Sequence, residues 1–257
     1  MPIPKTSLKE LKKHLLDLGL KREMNITIHS NMLSFGHIED GLDGVYNTIR
    51  NIIGTKGTIV VPTYTTSLKP NQVYDPLKTT PQAMGVFSNY IMHKQSSTRT
   101  SNPVHSHAIE GPLKNVLLAT RPDLSIGPGS IFEKLQEEGF YLLLLGCSFQ
   151  QGATFLHHVE ACNEVFYRTW IDLERKIVQL DGSIKKLKVK YYGRKNNISL
   201  KTNFEKIENL LQISGVCHTK KIRQTYSHMI NLSDLFHSTK EILSSNPNIL
   251  IVKTNAK

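Results

Sequence analysis

Two apolar runs of strand length, residues 57–62 (GTIVVP) and 141–146 (YLLLLG), show no alternation of polar and apolar positions. A strand with one wet face alternates, so a run without alternation is covered on both faces. Such strands need helices above and below them. The chain supplies these in the right order. Ser7-Leu8-Lys9-Glu10 forms a capping box, Leu8, Leu11, Leu15 and Leu18 follow at helical spacing, and Gly19 stops the helix. Residues 25–29 (NITIH) read as a short strand and residues 43–53 as a helix closed by Gly54. This strand–helix–strand order predicts an α/β fold, a layered sheet with helices on both faces.

Further helices are expected over residues 83–93, 132–138, 152–164, 204–211 and 232–243, and a last strand over 248–253 (NILIVK). Residues 64–82 and 95–130 are rich in proline and read as long loops, which in compact domains usually serve a function. Residues 171–180 and 184–191, joined through Asp181-Gly182, predict a C-terminal β-hairpin. No Gly-, Ser- or Pro-rich linker divides the 257 residues, so a single domain over 1–257 is expected.

No apolar run reaches the ~18 residues of a membrane helix, and the polar N-terminus lacks the apolar core of a secretory signal. Three cysteines do not make a disulfide scaffold, so a cytoplasmic location is expected. The net charge of +11 is concentrated: residues 185–223 hold eleven Lys/Arg against two Glu, net +9, and the other 218 residues hold 21 Lys/Arg against 19 Asp/Glu, net +2. This basic segment reads either as a solvated face or as an attractor of anionic ligands. It carries only Tyr191 and Tyr192 among its lysines and no nucleic-acid motif, so nucleic acid is not expected as a partner.

Histidines cluster twice, in Asn102-Pro103-Val104-His105-Ser106-His107 and in Leu156-His157-His158-Val159-Glu160. On a helix His157 and Glu160 share a face, and a carboxylate beside an imidazole fixes its tautomer and raises its basicity. His157 is thereby a candidate general base; the alternative is a solvated surface pair. His105, His107, His157, His158 and Glu160 could also supply metal ligands, although adjacent histidines point about 100° apart on a helix and lack the zinc-protease spacing. Cys147 ends the 141–146 run without the flanking glycines of a nucleophile elbow, so a buried thiol is expected. Residues 126–130 (IGPGS) precede a helical stretch and could offer backbone amides to a phosphate or an oxyanion.

Seven segments, IHSNMLSFG, GTIVVPTYT, YDP, TRTSNPVHSHAIEG, IGPGSIFEKL, YLLLLG and TFLHHVE, occur in this order over residues 5–168. Together they resemble the aminoglycoside 3-N-acetyltransferase family. The resemblance implies an α/β fold distinct from the GCN5-type acetyltransferase fold. It also implies direct transfer of an acyl group from acyl-CoA to an amine, with no metal. On it, His157 is the base and Glu160 its partner, His105 orients the amine or the thioester, and Thr154 bonds the coenzyme sulfur or the intermediate. Ser30, Asn31, Leu33, Ser34, Phe35, Gly36, Arg99, Ser106 and Ser130 would line the coenzyme site.

Two positions depart from the family pattern. Asn102 stands where His is usual, and Asn31 where Ser is usual. Both amides could serve a hydroxylated acyl chain, so a hydroxyacyl-CoA donor is expected beside acetyl-CoA. Aminoglycosides are polycations and call for acidic groups such as Glu160, Glu164, Asp75 and Glu110. The positive net charge instead favours a nucleotide-linked amino sugar whose pyrophosphate the basic segment would grip, with an aminoglycoside as the alternative acceptor. A homodimer fits either acceptor. Stoichiometric zinc would point to a metal-dependent hydrolase, and a steep salt-dependent affinity for DNA or RNA to a nucleic-acid-binding module.

Overall fold

The computed structural model describes residues 4–179, 181–196 and 198–253. A seven-stranded sheet runs through it in the order His218–Ile222, Thr225–Asn231, Tyr141–Leu145, Ile26–Ser30, Ile59–Pro62, His107–Glu110, Thr98–Arg99. The three middle strands are parallel, with Ile28 opposite Leu143 and Ile26 opposite Ile59. The flanking strands pair antiparallel, with Met229 opposite Leu143 and Val61 opposite Ala108.

The two apolar runs are in the sheet, and their successive residues feed opposite cores. Leu143, Leu145, Ile59 and Val61 join Leu11 and Leu15 of helix Leu8–Asp17, Val45 and Ile49 of helix Gly41–Ile53, and Phe87 of helix Val86–Met92. Leu142, Leu144 and Val60 join Leu135 of helix Ile131–Glu137, Val159 of helix Phe155–Cys162, Ile207 of helix Glu205–Ile213 and Leu235 of helix Leu232–Ser245. Each of these fully buried aliphatic side chains contributes about 2 kcal/mol of transfer free energy. The layered arrangement follows from that two-sided burial. At the N-terminus the Ser7 capping box is formed, with Glu10 N–H on Ser7 Oγ at 3.2 Å and Ser7 N–H on Glu10 Oε2 at 2.9 Å.

The hairpin is longer than expected. Arg168–Val178 pairs with Ile184–Arg194 throughout, and its root reaches back under helix Phe155–Cys162. Three other expectations are corrected, and one ribbon was not expected. Residues 152–164 are not one helix: Ser148 and Gln151 form a capping box that starts a short helix at Phe149–Gly152, and the chain breaks at Ala153 before Phe155–Cys162 begins. The loop over 95–130 contains the strand His107–Glu110. The last strand, expected over 248–253, is shorter, Ile251–Lys253, and pairs with Leu200–Thr202 in a separate ribbon. The edge ribbon His218–Ile222/Thr225–Asn231 was unexpected, because its outer strand is polar and shows no alternation. No helix among the described residues is long and apolar enough to cross a membrane.

Candidate active site

The carboxyl ends of the parallel strands, where α/β sheets usually bind ligands, open onto a groove. Two clefts of about 500 and 460 Å³ make it up, and Asn31, Cys147 and Gln151 line both. The loop over 31–36 folds between the two clefts as a turn of 3₁₀ helix, Met32–Phe35. Asn31 N–H bonds Leu145 O at 3.0 Å, and Ser34 Oγ bonds Asn31 O at 2.6 Å. This close approach requires Gly146: at φ +71° a Cβ there would run into Ser34 Oγ and the Phe35 ring. Leu33 stands 88% exposed at the rim. Ser30 Oγ, by contrast, is buried beside the cleft with no partner among the described residues, a polar atom that a ligand would satisfy.

Of the other residues expected around the coenzyme, Phe35 lies in the core at 0% exposure and Gly36 sits against Pro4 O. Arg99 is 6% exposed, and its guanidinium is spent on Thr63 Oγ1 at 3.0 Å, Ser106 Oγ at 3.1 Å and the carbonyls of Thr63 and Thr79. Ser106 Oγ in turn donates to Thr63 O at 2.6 Å. Ser130 is buried with an unpartnered hydroxyl among the described residues. Two amides of the loop over 126–130 are already used, Gly129 N–H on Glu133 Oε2 at 2.7 Å and Ser130 N–H on Gly127 O at 3.1 Å, and Trp170 packs against Gly127.

The candidate base lies on helix Phe155–Cys162. His157 Nδ1 is 2.5 Å from Glu160 Oε2, as the i, i+3 spacing predicts. The His157 side chain is 26% exposed and the Glu160 side chain 0%. Two residues missed in the sequence complete the group. Tyr167 donates its hydroxyl to Glu160 Oε1 at 2.8 Å, and Arg168 Nε stands 2.7 Å from Glu160 Oε2. Burial alone would raise the Glu160 carboxyl; His157, Arg168 and Tyr167 together hold it below its ordinary value. Tyr167 and Arg168 come back to the helix through the turn after Asn163, where Glu164 takes φ +46° without a glycine to mark it.

The other histidines have a different environment. His105 is 5% exposed and shares a 2.7 Å hydrogen bond between its Nδ1 and Ser125 Oγ. Burial first, then repulsion from His157, depresses it to about 3. His107 is sealed beneath Tyr64, whose hydroxyl lies 3.3 Å from His107 Nε2, and burial holds it well below its ordinary value. His158 is 0% exposed between Phe132 and Phe155, so it points away from His157 into the core. Among the described residues no three His, Cys, Asp or Glu side chains gather as metal ligands would. Thr154 lies at the Tyr64 hydroxyl, and the Tyr64 ring spans from His29 in the second cleft to His105. A chain of side chains thus leads from the groove towards the base.

Asn102 is not free for an acyl chain. Its Oδ1 accepts from the N–H groups of Val104 and His105 at 2.9 and 2.8 Å, and its Nδ2 donates to Pro122 O and Leu124 O at 3.0 and 3.1 Å. It is the brace of the turn that carries His105. The basic segment is also not one surface. Its cations are spread over the hairpin, the Leu200–Thr202 strand, helix Glu205–Ile213 and the edge ribbon. On the hairpin, Lys188 and Lys190 lie opposite Glu174 and Asp172; on the ribbon, Arg223 pairs with Glu10 at 2.9 Å.

A three-layered α/β sheet with a groove at its strand ends and a carboxylate-backed histidine is an arrangement that suits group transfer assisted by a base. Comparison with known proteins agrees. A family model described as aminoglycoside 3-N-acetyltransferase matches residues 27–244. The chain is 27% identical over 200 residues, 70% of it and 68% of the relative, to aminoglycoside N(3)-acetyltransferase VII of Streptomyces paromomycinus. Among solved structures, the AAC-IIIb complex with CoASH superposes with a TM-score of 0.81 at 19% identity, covering 98% of this chain and 100% of that one. A histidine-to-alanine variant of AAC(3)-IVa in complex with a gentamicin superposes with a TM-score of 0.76 at 23% identity, covering 97% and 93%. The protein belongs to the aminoglycoside 3-N-acetyltransferase family. Its fold is that of these enzymes and not the GCN5-type fold.

Proposed function

We propose that this enzyme transfers acetyl from acetyl-CoA to a primary amine of an aminoglycoside, with His157 as general base. The observation that carries the reading is the His157–Glu160 pair: a half-buried imidazole whose Nδ1 faces a fully buried carboxylate at 2.5 Å. With Nδ1–H donated to Glu160, the Nε2 lone pair is free to accept a proton. The amine nitrogen forms a bond to the thioester carbonyl carbon as its proton passes to Nε2. The C–S bond then breaks, and the proton returns to the coenzyme thiolate or to solvent. Asn31, Ser30, Leu33 and Ser34 are proposed to hold the coenzyme in the groove, and Thr154 and His105 to position the reacting groups.

The acceptor follows from two considerations. The Streptomyces relative is named for aminoglycosides, and AAC(3)-IVa binds a gentamicin in its solved complex. A nucleotide-linked acceptor called for a basic patch at the groove; the cations that gather on the hairpin, Arg175, Lys176, Lys186 and Lys188, line a separate cleft with Glu174. Glu208 lines the first cleft, but its oxygens already accept from Phe149 N–H at 3.1 Å and Gln212 Nε2 at 3.1 Å, so it offers charge, and not a free hydrogen-bonding oxygen, to a cationic acceptor. A hydroxyacyl donor keeps only Asn31 in its favour, since Asn102 is fully bonded within the protein.

The test is thiol release from acetyl-CoA and from 3-hydroxybutyryl-CoA, each offered with gentamicin and with a dTDP-amino-deoxyhexose. Turnover with acetyl-CoA and gentamicin is expected. Turnover with the nucleotide sugar alone would overturn the acceptor while leaving the transferase intact.

A further inference from the structure

His157 Nδ1 has two neighbours with opposite demands. Glu160 Oε2, at 2.5 Å, can only accept a hydrogen bond; Arg168 Nη2, at 2.9 Å, can only donate one. One nitrogen cannot satisfy both at once. We infer that Arg168 is a positioning residue that keeps His157 neutral until an amine arrives. The inference rests on His157 being the base.

A buried carboxylate alone beside an imidazole would draw a proton onto it and form an ion pair. An imidazolium has no lone pair and cannot deprotonate an amine. Arg168 prevents this in two ways. It is a permanent cation, and its Nε stands 2.7 Å from Glu160 Oε2, so the carboxylate charge is already shared. Its Nη2 faces Nδ1, where a second positive charge would be repelled. Its position is fixed: the side chain is 6% exposed and Nη1 donates to Tyr192 O, on the opposite hairpin strand, at 3.1 Å. The remaining groups around His157 do not do this work. Tyr167 is neutral and bonded to the far oxygen of Glu160, His105 is held uncharged by burial, and Phe204 offers only its ring. The hairpin root is thus part of the base and not merely its support.

The experiment is a ¹⁵N-NMR titration of the imidazoles in the free enzyme, with His157 assigned by difference from His157→Gln. Wild type is compared with Arg168→Met, Arg168→Gln and Arg168→Lys, and pH profiles of kcat/KM are recorded beside them. In the two neutral variants His157 is expected to hold its proton to a pH higher by about one unit or more, and the acidic limb of the profile to move with it. Arg168→Lys retains the charge and keeps the titration within about 0.3 unit of wild type, with a lower kcat from its looser geometry. Lower activity with an unmoved titration in a neutral variant would overturn the inference, as would a lysine variant that moves as far as the neutral ones. Failure of the base assignment itself shows separately, as near-normal kcat in His157→Gln.

Discussion

His157 and His105 are neighbours in the same site, yet their surroundings make them different chemical groups. His157 is about a quarter exposed and faces a carboxylate; His105 is 5% exposed and faces a serine hydroxyl. A half-exposed imidazole with an anionic partner can gain and return a proton. A sealed one with a neutral partner is held in one state, because charging it would strip a cation of water without compensation. Histidine density in a sequence therefore marks a region, and only burial and partners decide which member can turn over protons.

The largest test of this difference is His157→Ala. It is expected to lower kcat by about 10² to 10⁴ while acetyl-CoA still binds with near wild-type affinity by calorimetry. A variant with near-normal kcat would remove His157 from the chemistry and end the distinction.

A smaller effect is expected on stability in acid. Burial depresses His105 to about 3 and His158 to about 4, whereas both titrate near 6.5 when unfolded. The unfolded chain therefore binds more protons between those limits. Stability is complete above pH ~6.5 and falls towards pH ~4, by about 1.4 kcal/mol per pH unit for each such histidine. The melting temperature followed from pH 7 to pH 4 should drop accordingly. His105→Leu should flatten the slope; an unchanged slope would mean that folding does not hold His105 neutral.

The smallest effect is expected on the hairpin. Lys186→Ala with Lys188→Ala should change KM for gentamicin by less than about twofold, as exposed charges interact weakly through water. A severalfold change would make this part of the hairpin a binding surface.

The sheet was legible where a residue's neighbours dictate one environment. YLLLLG and GTIVVP show no polar–apolar alternation because helices cover both faces. The edge ribbon was not legible, because an outer strand such as His218–Ile222 is half solvent and its lysines guard an open edge. In the site, His157 and Glu160 were found because three residues of helix place them together. Tyr167 and Arg168 were not, because an irregular turn through Glu164 brings them back. Arg99 and Asn102 looked available to a ligand in the sequence, and their partners, Thr63, Thr79, Pro122 and Leu124, lie about 20 to 36 residues away along the chain. The +9 segment is contiguous in sequence but divided among a hairpin, a short ribbon, a helix and the edge of the main sheet.

Cys147 lies where the two clefts meet, with its thiol directed at His29 O at 3.5 Å. Burial pushes that thiol up to about 12, which keeps it protonated at neutral pH. Sulfur is the atom most able to take an acyl group from another sulfur, and here it is kept from doing so. A thioester in this groove would meet a neutral, buried thiol and not a thiolate, which disfavours a detour of its acyl group through Cys147.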